Sequence, residues 1–392
     1  MTDATAFSLA PASAAARPAP LDRPGSTAWP TTRPAGGAAS GPVLVTQGDA
    51  AGIGPELIAM AFRDAPQRMA GCAVAGDLNT LRRAAAVVGG MLPTALLGDG
   101  DALAADPHAL AQAVAQVPPR CIPVVQACAP CATADLPEWG RVSGAAGRMA
   151  ADCIAWAARA ALHGRAAALV TAPIHKEALA AAGVPHPGHT ELLQALAAEH
   201  LGCPLAELPV RMMLSAPGLQ TVLVSIHVSL REALDLVTTD RVLQTVRMAH
   251  AALTARDTAL GRSTPRRLGV AGLNPHAGEG GLFGREELDH IAPAVALARA
   301  EGLDVQGPLP PDTVFMQARQ GRFDAVVAMY HDQGLIPVKL LGVEHGVNVT
   351  LGLPLVRASP DHGTAFDLAG TGRADPSSLL AAVDWVRGVN SQ

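Results

Sequence analysis

Three histidines in this 392-residue chain each close an apolar run: His227 after TVLVSI, His276 after LGVAGLNP and His331 after AVVAMY. Three neutral imidazoles that leave coordination positions open form a ligand set for a catalytic divalent metal. One such histidine is ordinarily a hydrogen-bonded structural residue; three at equivalent places favour a shared site. Gaps of 49 and 55 residues in sequence exclude a local helical motif. Only the fold, in one chain or across two copies, can bring these imidazoles together.

Other runs end on polar groups in the same way. ALVTAPIHK (168–176) finishes on His175 and Lys176, and VLVT (43–46) leads to Gln47 and Asp49 and the turn GDAAGIGPE (48–56). The glycines of that turn allow close backbone approach at a helix start, where an anion is favoured. Its spacing is neither G-x-G-x-x-G nor a Walker loop. Glycines return in NPHAGEGG (274–281), a loop that cradles a ligand or merely turns tightly. GHTELL (188–193) places His189 and Thr190 at a helix start, with Thr190 suited to capping it. Asp312, after GPLPP, suits the cap of a helix over 313–319. Lys339, Asn348 and Arg357, nine residues apart, are donors of the kind a phosphate or carboxylate needs, or else surface residues. SPDHGTAFDLAGTGRADP (359–376) is a loop able to wrap an adenine and ribose, or ordinary loop chemistry.

Apolar runs alternating with alanine-rich helical stretches, such as 145–163 and 232–257, must position these groups. Such alternation implies βαβ units and a largely parallel sheet. Ligands of such sheets sit beyond the carboxyl ends of the strands, so the five runs are expected to deliver their polar groups to one edge. The segment 118–140 reads as a loop or linking excursion.

Composition narrows the class. Apolar residues at 49% supply a sizeable core, while a net charge of −5 and 3% aromatics argue against a nucleic-acid surface. No apolar run approaches the ~20 residues that cross a bilayer, and a cytoplasmic enzyme is expected. Residues 1–40, rich in Ala and Pro, read as a disordered tail. Cys128 and Cys131 form a lone C-x-x-C without a second pair nearby; two free thiols in a loop are expected rather than a metal or redox site.

GDAAGIGPE, TAPIHK, GHTELL, GLNPHAGEGG, GPLPPDT, AMYHDQG and VNVTLGLPLVRASPDHGTAFDLAG, in this order over roughly 41–390, closely resemble the 4-hydroxythreonine-4-phosphate dehydrogenases, with their D-threonate and D-erythronate 4-phosphate paralogues. The resemblance implies a three-layer α/β/α fold with a largely parallel mixed sheet and two subdomains flanking a cleft, similar to isocitrate and isopropylmalate dehydrogenases. It implies one catalytic unit, 41–392, with 41–165 and 340–392 on the cofactor side and 166–339 on the metal and dimer side. His227, His276 and His331 match metal ligands of a homodimer whose active site is shared between subunits. His189, Thr190, Lys339, Asn348 and Arg357 match substrate positions, and Asp312 an acid near the reacting centre. GDAAGIGPE and DHGTAFDLAG are also similar to segments of the wider β-decarboxylating dehydrogenases, which implies His362, Gly363, Thr364 and Asp367 as contacts of NAD or NADP.

The expected reaction is oxidation of 4-phosphooxy-L-threonine followed by decarboxylation to 3-amino-2-oxopropyl phosphate, on the route to pyridoxal 5′-phosphate. It would need NAD or NADP and one zinc, magnesium or cobalt ion, with Asp312 or Asp332 moving the proton. Asp49 is followed by Ala50, where the family often has Pro; D-threonate and D-erythronate 4-phosphate therefore remain alternative substrates. Rival classes are a metal-dependent hydrolase built on the same histidines and a non-catalytic binding protein.

Overall fold

The computed structural model describes residues 41–388 apart from positions 107, 260, 264 and 265. The expected tail, 1–40, lies outside the described residues. Twelve strands form one sheet among them: β1 (Val43–Thr46), β2 (Cys72–Gly76), β3 (Thr94–Asp99), β4 (Ile122–Gln126), β5 (Ala168–Thr171), β6 (Arg211–Ala216), β7 (Leu219–Leu223), β8 (Leu268–Ala271), β9 (Val305–Leu309), β10 (Ala325–Ala328), β11 (Val347–Leu351) and β12 (Arg357–Pro360). Their order is β3-β4-β2-β1-β5-β12-β11-β6-β7-β10-β8-β9. Strands β1, β2, β5 and β10 are buried at every residue, which requires cover on both faces. This is the expected α/β/α arrangement.

The sheet is mixed in one particular way. The pairs from β3 through to β12 are parallel, and so are β7–β10, β10–β8 and β8–β9. Three antiparallel pairings, β12–β11, β11–β6 and β6–β7, separate the two blocks. Three reversals leave β7, β10 and β8 running opposite to β1 and β5. The expected single edge is therefore corrected: Asp49 and His175 leave the sheet at one edge, and the three histidines leave at the other. The cause is local. Pro217 and Gly218 turn β6 back into β7, with Gly218 at φ 79°, the backbone a proline–glycine turn needs at its second position.

Two local expectations also change. The stretch 118–140 contains β4, paired with β2 and β3, with Pro123 near the strand's start, where a lost donor matters least. The stretch 232–257 is two helices, Leu230–Leu236 and Thr239–Ala259. Ser229 and Glu232 cap the first reciprocally, while the Thr238 hydroxyl accepts from Arg241 N and opens the second. The boundary read at 165/166 falls between the helix Gly144–Leu162 and β5, and β5 pairs with β1 and β12.

Close packing of small residues holds the first block together. A Cβ added at Gly147 would fall on the Ala178 carbonyl, between the helices Gly144–Leu162 and Lys176–Ala181. Gly147→Ala should therefore destabilise the protein by about 1–3 kcal/mol; denaturant titration with an unchanged midpoint would disprove this packing.

Candidate active site

The three histidine-bearing loops follow neighbouring strands, because β10 lies between β7 and β8. Two buried side chains fasten them. The Ser225 hydroxyl donates to Met329 O at 2.8 Å, joining the loop of His227 to that of His331. Gln333 Nε2 donates to Gly272 O at 2.7 Å, and its Oε1 accepts from Met329 N at 2.6 Å; this joins the loop of His331 to that of His276. Glu287, 1% exposed, accepts from Leu273 N and Asn274 N at 2.7 Å each. It steadies a run in which His276 to Gly280 all have positive φ. His227 shares that backbone region at φ 46°, uncommon for a residue with a side chain.

The imidazoles of His227 and His331 face each other with centroids 5.5 Å apart. His331 Nδ1 lies 2.7 Å from Asp332 Oδ1; a carboxylate there fixes the ring and leaves Nε2 to face a cation. Burial, then the neighbouring His331 and Lys176, push the His227 imidazole below the usual histidine range, with Glu191 opposing. His227 thus suits the neutral, metal-ligating form. The ring of His276 instead lies 6.2 Å from that of Phe283. Among the described residues no three His, Cys, Asp or Glu side chains cluster closely enough to hold a metal. One protomer joins two of the three histidines.

A second cluster is built for negative charge. Arg357, 4% exposed, donates to the Thr171 hydroxyl at 2.7 and 3.2 Å and to the Thr350 hydroxyl at 3.0 Å. Burial lowers it to about 10. His189, the first residue of the helix His189–Leu201, has a buried Nε2 without a partner. Burial and the charge of Arg357 hold its imidazole well below the ordinary range. Thr190 lies inside that helix, and Gly188 occupies the cap position Thr190 was expected to fill. Lys339 pairs with Asp361 at 3.0 Å. The Asn348 amide meets only the Met212 sulfur, at 3.4 Å, a weak acceptor. His331 and Lys339 are the first and last residues of one helix, about 12 Å apart along its axis.

The glycine turn and the 361–373 loop pack on one another. Ile53 N donates to Thr364 O at 3.0 Å, and a Cβ at Gly52 would stand 3.0 Å from Thr364 Cβ. Glu56, fully buried, accepts from the Gly370 and Gly372 amides. His362 Nδ1 lies 3.1 Å from Gly363 O, open space surrounds the Gly363 Cα, and Asp367 is exposed. The ring of His175 stacks on Phe366 at 4.8 Å. Asp49 accepts from Ala51 N while its Oδ2 is buried and unpartnered, and burial raises its carboxyl. Asp312 is exposed in the first turn of Pro311–Arg319, with no side-chain capping bond. Cys128 and Cys131 carry free thiols.

Ser225, Gln333, Glu287 and Glu56 are the residues that motif reading passes over. Their only sequence signal is a polar side chain beside a histidine or glycine motif.

Comparison with known proteins gives one direction. The description "Pyridoxal phosphate biosynthetic protein PdxA" matches residues 68–386. The chain is 48% identical to a 4-hydroxythreonine-4-phosphate dehydrogenase of Beijerinckia indica, over 88% of this chain and 94% of that one. It is 43% identical to a D-threonate 4-phosphate dehydrogenase of Salmonella typhimurium, over 87% and 96%. The crystal structure of 4-hydroxythreonine-4-phosphate dehydrogenase from Klebsiella pneumoniae superposes with a TM-score of 0.75 at 39% identity, covering 90% of this chain and all of that one.

The depressed His189 gives a signed pH effect. The unfolded chain takes up a proton near 6.5 and the folded chain does not. Stability is thus complete above that value and falls as pH drops below it, until the depressed value is reached. Denaturation midpoints between pH 7 and 5 should fall more steeply in the wild type than in His189→Gln, by up to about 1.4 kcal/mol per unit; equal slopes would show that His189 titrates normally.

Proposed function

The chain belongs to the PdxA family of pyridoxal phosphate biosynthetic proteins, and we propose that it is a 4-hydroxythreonine-4-phosphate dehydrogenase. The reaction oxidises the hydroxyl of 4-phosphooxy-L-threonine with NAD or NADP; the keto acid then loses CO2 to give 3-amino-2-oxopropyl phosphate. The observation that carries this reading is Arg357: a buried guanidinium with hydroxyl partners only, beside a neutral imidazole. A phosphate supplies the charge that this pocket lacks.

Lys339 and Asn348 join Arg357 and His189 around the phosphate, with Thr190 beside them, and so orient the reacting carbon. His227, His276 and His331 would hold the metal. A zinc, magnesium or cobalt ion there would supply positive charge against the substrate oxygen as it becomes negative. NAD or NADP would accept the hydride, and His362, Gly363, Thr364 and Asp367 would hold its adenosine. Asp332 orients His331 through Nδ1, which leaves Asp312 as the free carboxylate to take the hydroxyl proton. In this reading 41–165 with 340–392 serves the cofactor and 166–339 the metal. D-Threonate or D-erythronate 4-phosphate is the second reading, supported by the 43% identity to a D-threonate 4-phosphate dehydrogenase.

A homodimer completes the site in this reading. The loops and helices that carry the histidines and Asp312 also expose Leu230, Leu282, Phe283, Met316, Ile336 and Leu340, with Leu282 and Leu340 at 73% and 81%. Such apolar exposure marks a surface that a partner covers. A cytoplasmic location accords with the lack, among the described residues, of any helix long and apolar enough to cross a membrane.

The decisive experiment offers the three phosphorylated acids with NAD and with NADP and follows NADH or NADPH absorbance, with and without a chelator. 4-Phosphooxy-L-threonine should give the highest kcat/KM, and the chelator should abolish turnover until metal is restored. No reduced cofactor from any of the three would reject the proposal. Arg357→Ala should raise the KM for the phosphorylated substrate at least tenfold, and an unaltered KM would remove Arg357 from the phosphate site. Leu282→Asp should shift sedimentation toward monomer and lower kcat in proportion; a full-activity monomer would refute the shared site.

A further inference from the structure

A cavity of about 370 Å3 opens at the edge where β7 and β11 begin and from which the chain enters β10. It lies between the β6–β7 turn, the last turns of the helix Thr239–Ala259 and the helix Ser377–Arg387. Arg256, Arg262, Arg266 and His345 line it, with Asp324 the one acid among its described lining residues. None of these residues belongs to the metal, substrate or cofactor sets above.

Its charges do not balance. Arg266 pairs with Asp257 and, at 3.2 Å, with Asp324, so both nearby acids are engaged. Arg256 and Arg262 form no ion pair among the described residues, and the Arg256 Nε is buried without a hydrogen-bond partner. The Arg256 guanidinium lies over the Trp385 ring, 4.8 Å from its centroid. Trp385 is 9% exposed, and its indole N–H is buried with no acceptor. Burial, then the charges of Arg266 and Arg262, push Arg256 below its usual range, with Asp257 opposing. Each buried donor left unsatisfied costs about 1–3 kcal/mol, and an anion in the cavity would offset the excess charge of the arginines that line it. A cavity of this size accepts a small metabolite.

We propose that this cavity is a binding site for a phosphate monoester dianion, held by Arg256 and the Trp385 indole N–H, with Arg262 and His345 at its rim. The ester is either a separate phosphorylated metabolite or the 2′-phosphate of NADP. The second source is reasonable because His345 and His362 both act on the Asp375 carboxyl, which puts the rim near the loop assigned to adenosine.

Calorimetric titration of the full chain with inorganic phosphate tests this. The wild type should bind two equivalents, one at the Arg357 site and one here. Arg256→Gln should bind one, with kcat on NAD within twofold of wild type and an unchanged circular dichroism spectrum. Trp385→Phe, which keeps the ring and removes the N–H, should weaken the second equivalent at least threefold. Displacement of that equivalent by NADP and not by NAD identifies the cofactor as its source; persistence in NADP identifies a separate ester. A single equivalent in the wild type that Arg357→Ala removes, or the same two equivalents in wild type and Arg256→Gln, overturns the proposal.

Discussion

Two hydrogen bonds carry the architecture of the candidate metal site: Ser225 to Met329 O and Gln333 to Gly272 O. Each spans adjacent strands just beyond their last ladder pairs, where the carbonyls would otherwise lack partners. Buried carbonyls must be satisfied, and an alternative arrangement would leave at least one orphaned. The three histidine loops are therefore fixed relative to one another before any ligand arrives. That preorganisation holds the two imidazoles with their centroids 5.5 Å apart.

The three antiparallel pairings at the centre of the sheet impose the second constraint. They send the carboxyl ends of the two parallel blocks to opposite edges. His331 and Lys339 stand at opposite ends of the helix His331–Lys339. A substrate with a phosphate and a hydroxyl only a few bonds apart needs both functions at short range. Twist of the sheet brings some of the first block toward the histidines, since the charges of Lys176 and Glu191 act on His227. The exposed apolar residues around the histidine loops are where the proposed partner subunit would supply the other physical route.

Much of this was legible in the chain itself, and the failures have causes. His227, His276 and His331 were legible because each follows a fully apolar run, and the order of β7, β10 and β8 makes those runs neighbours. The strand CAVAG escaped notice because alanine and glycine carry no β signal. Within 118–140, Pro123 and the cysteines disguised β4 as a loop. The reversal of sense was not legible, because a two-residue turn at Pro217–Gly218 specifies a hairpin but not which strand the hairpin joins next. Glu56 could not be read as a support for the 361–373 loop, because its partners lie more than 300 residues away.

The perturbed groups argue together for what the molecule awaits. Burial depresses Arg357, His189 and His227, and a neighbouring positive charge further depresses both histidines. Among the described residues no carboxylate pairs with Arg357, and Asp361 serves Lys339 instead. A protein optimised only for stability would pair or replace such a cation, because an uncompensated buried charge costs several kcal/mol. Under the proposed function, an unpaired Arg357 would leave its charge free to contribute binding energy when a phosphate dianion enters. The same reasoning explains why Arg357 is held by threonine hydroxyls: they fix its direction without neutralising it.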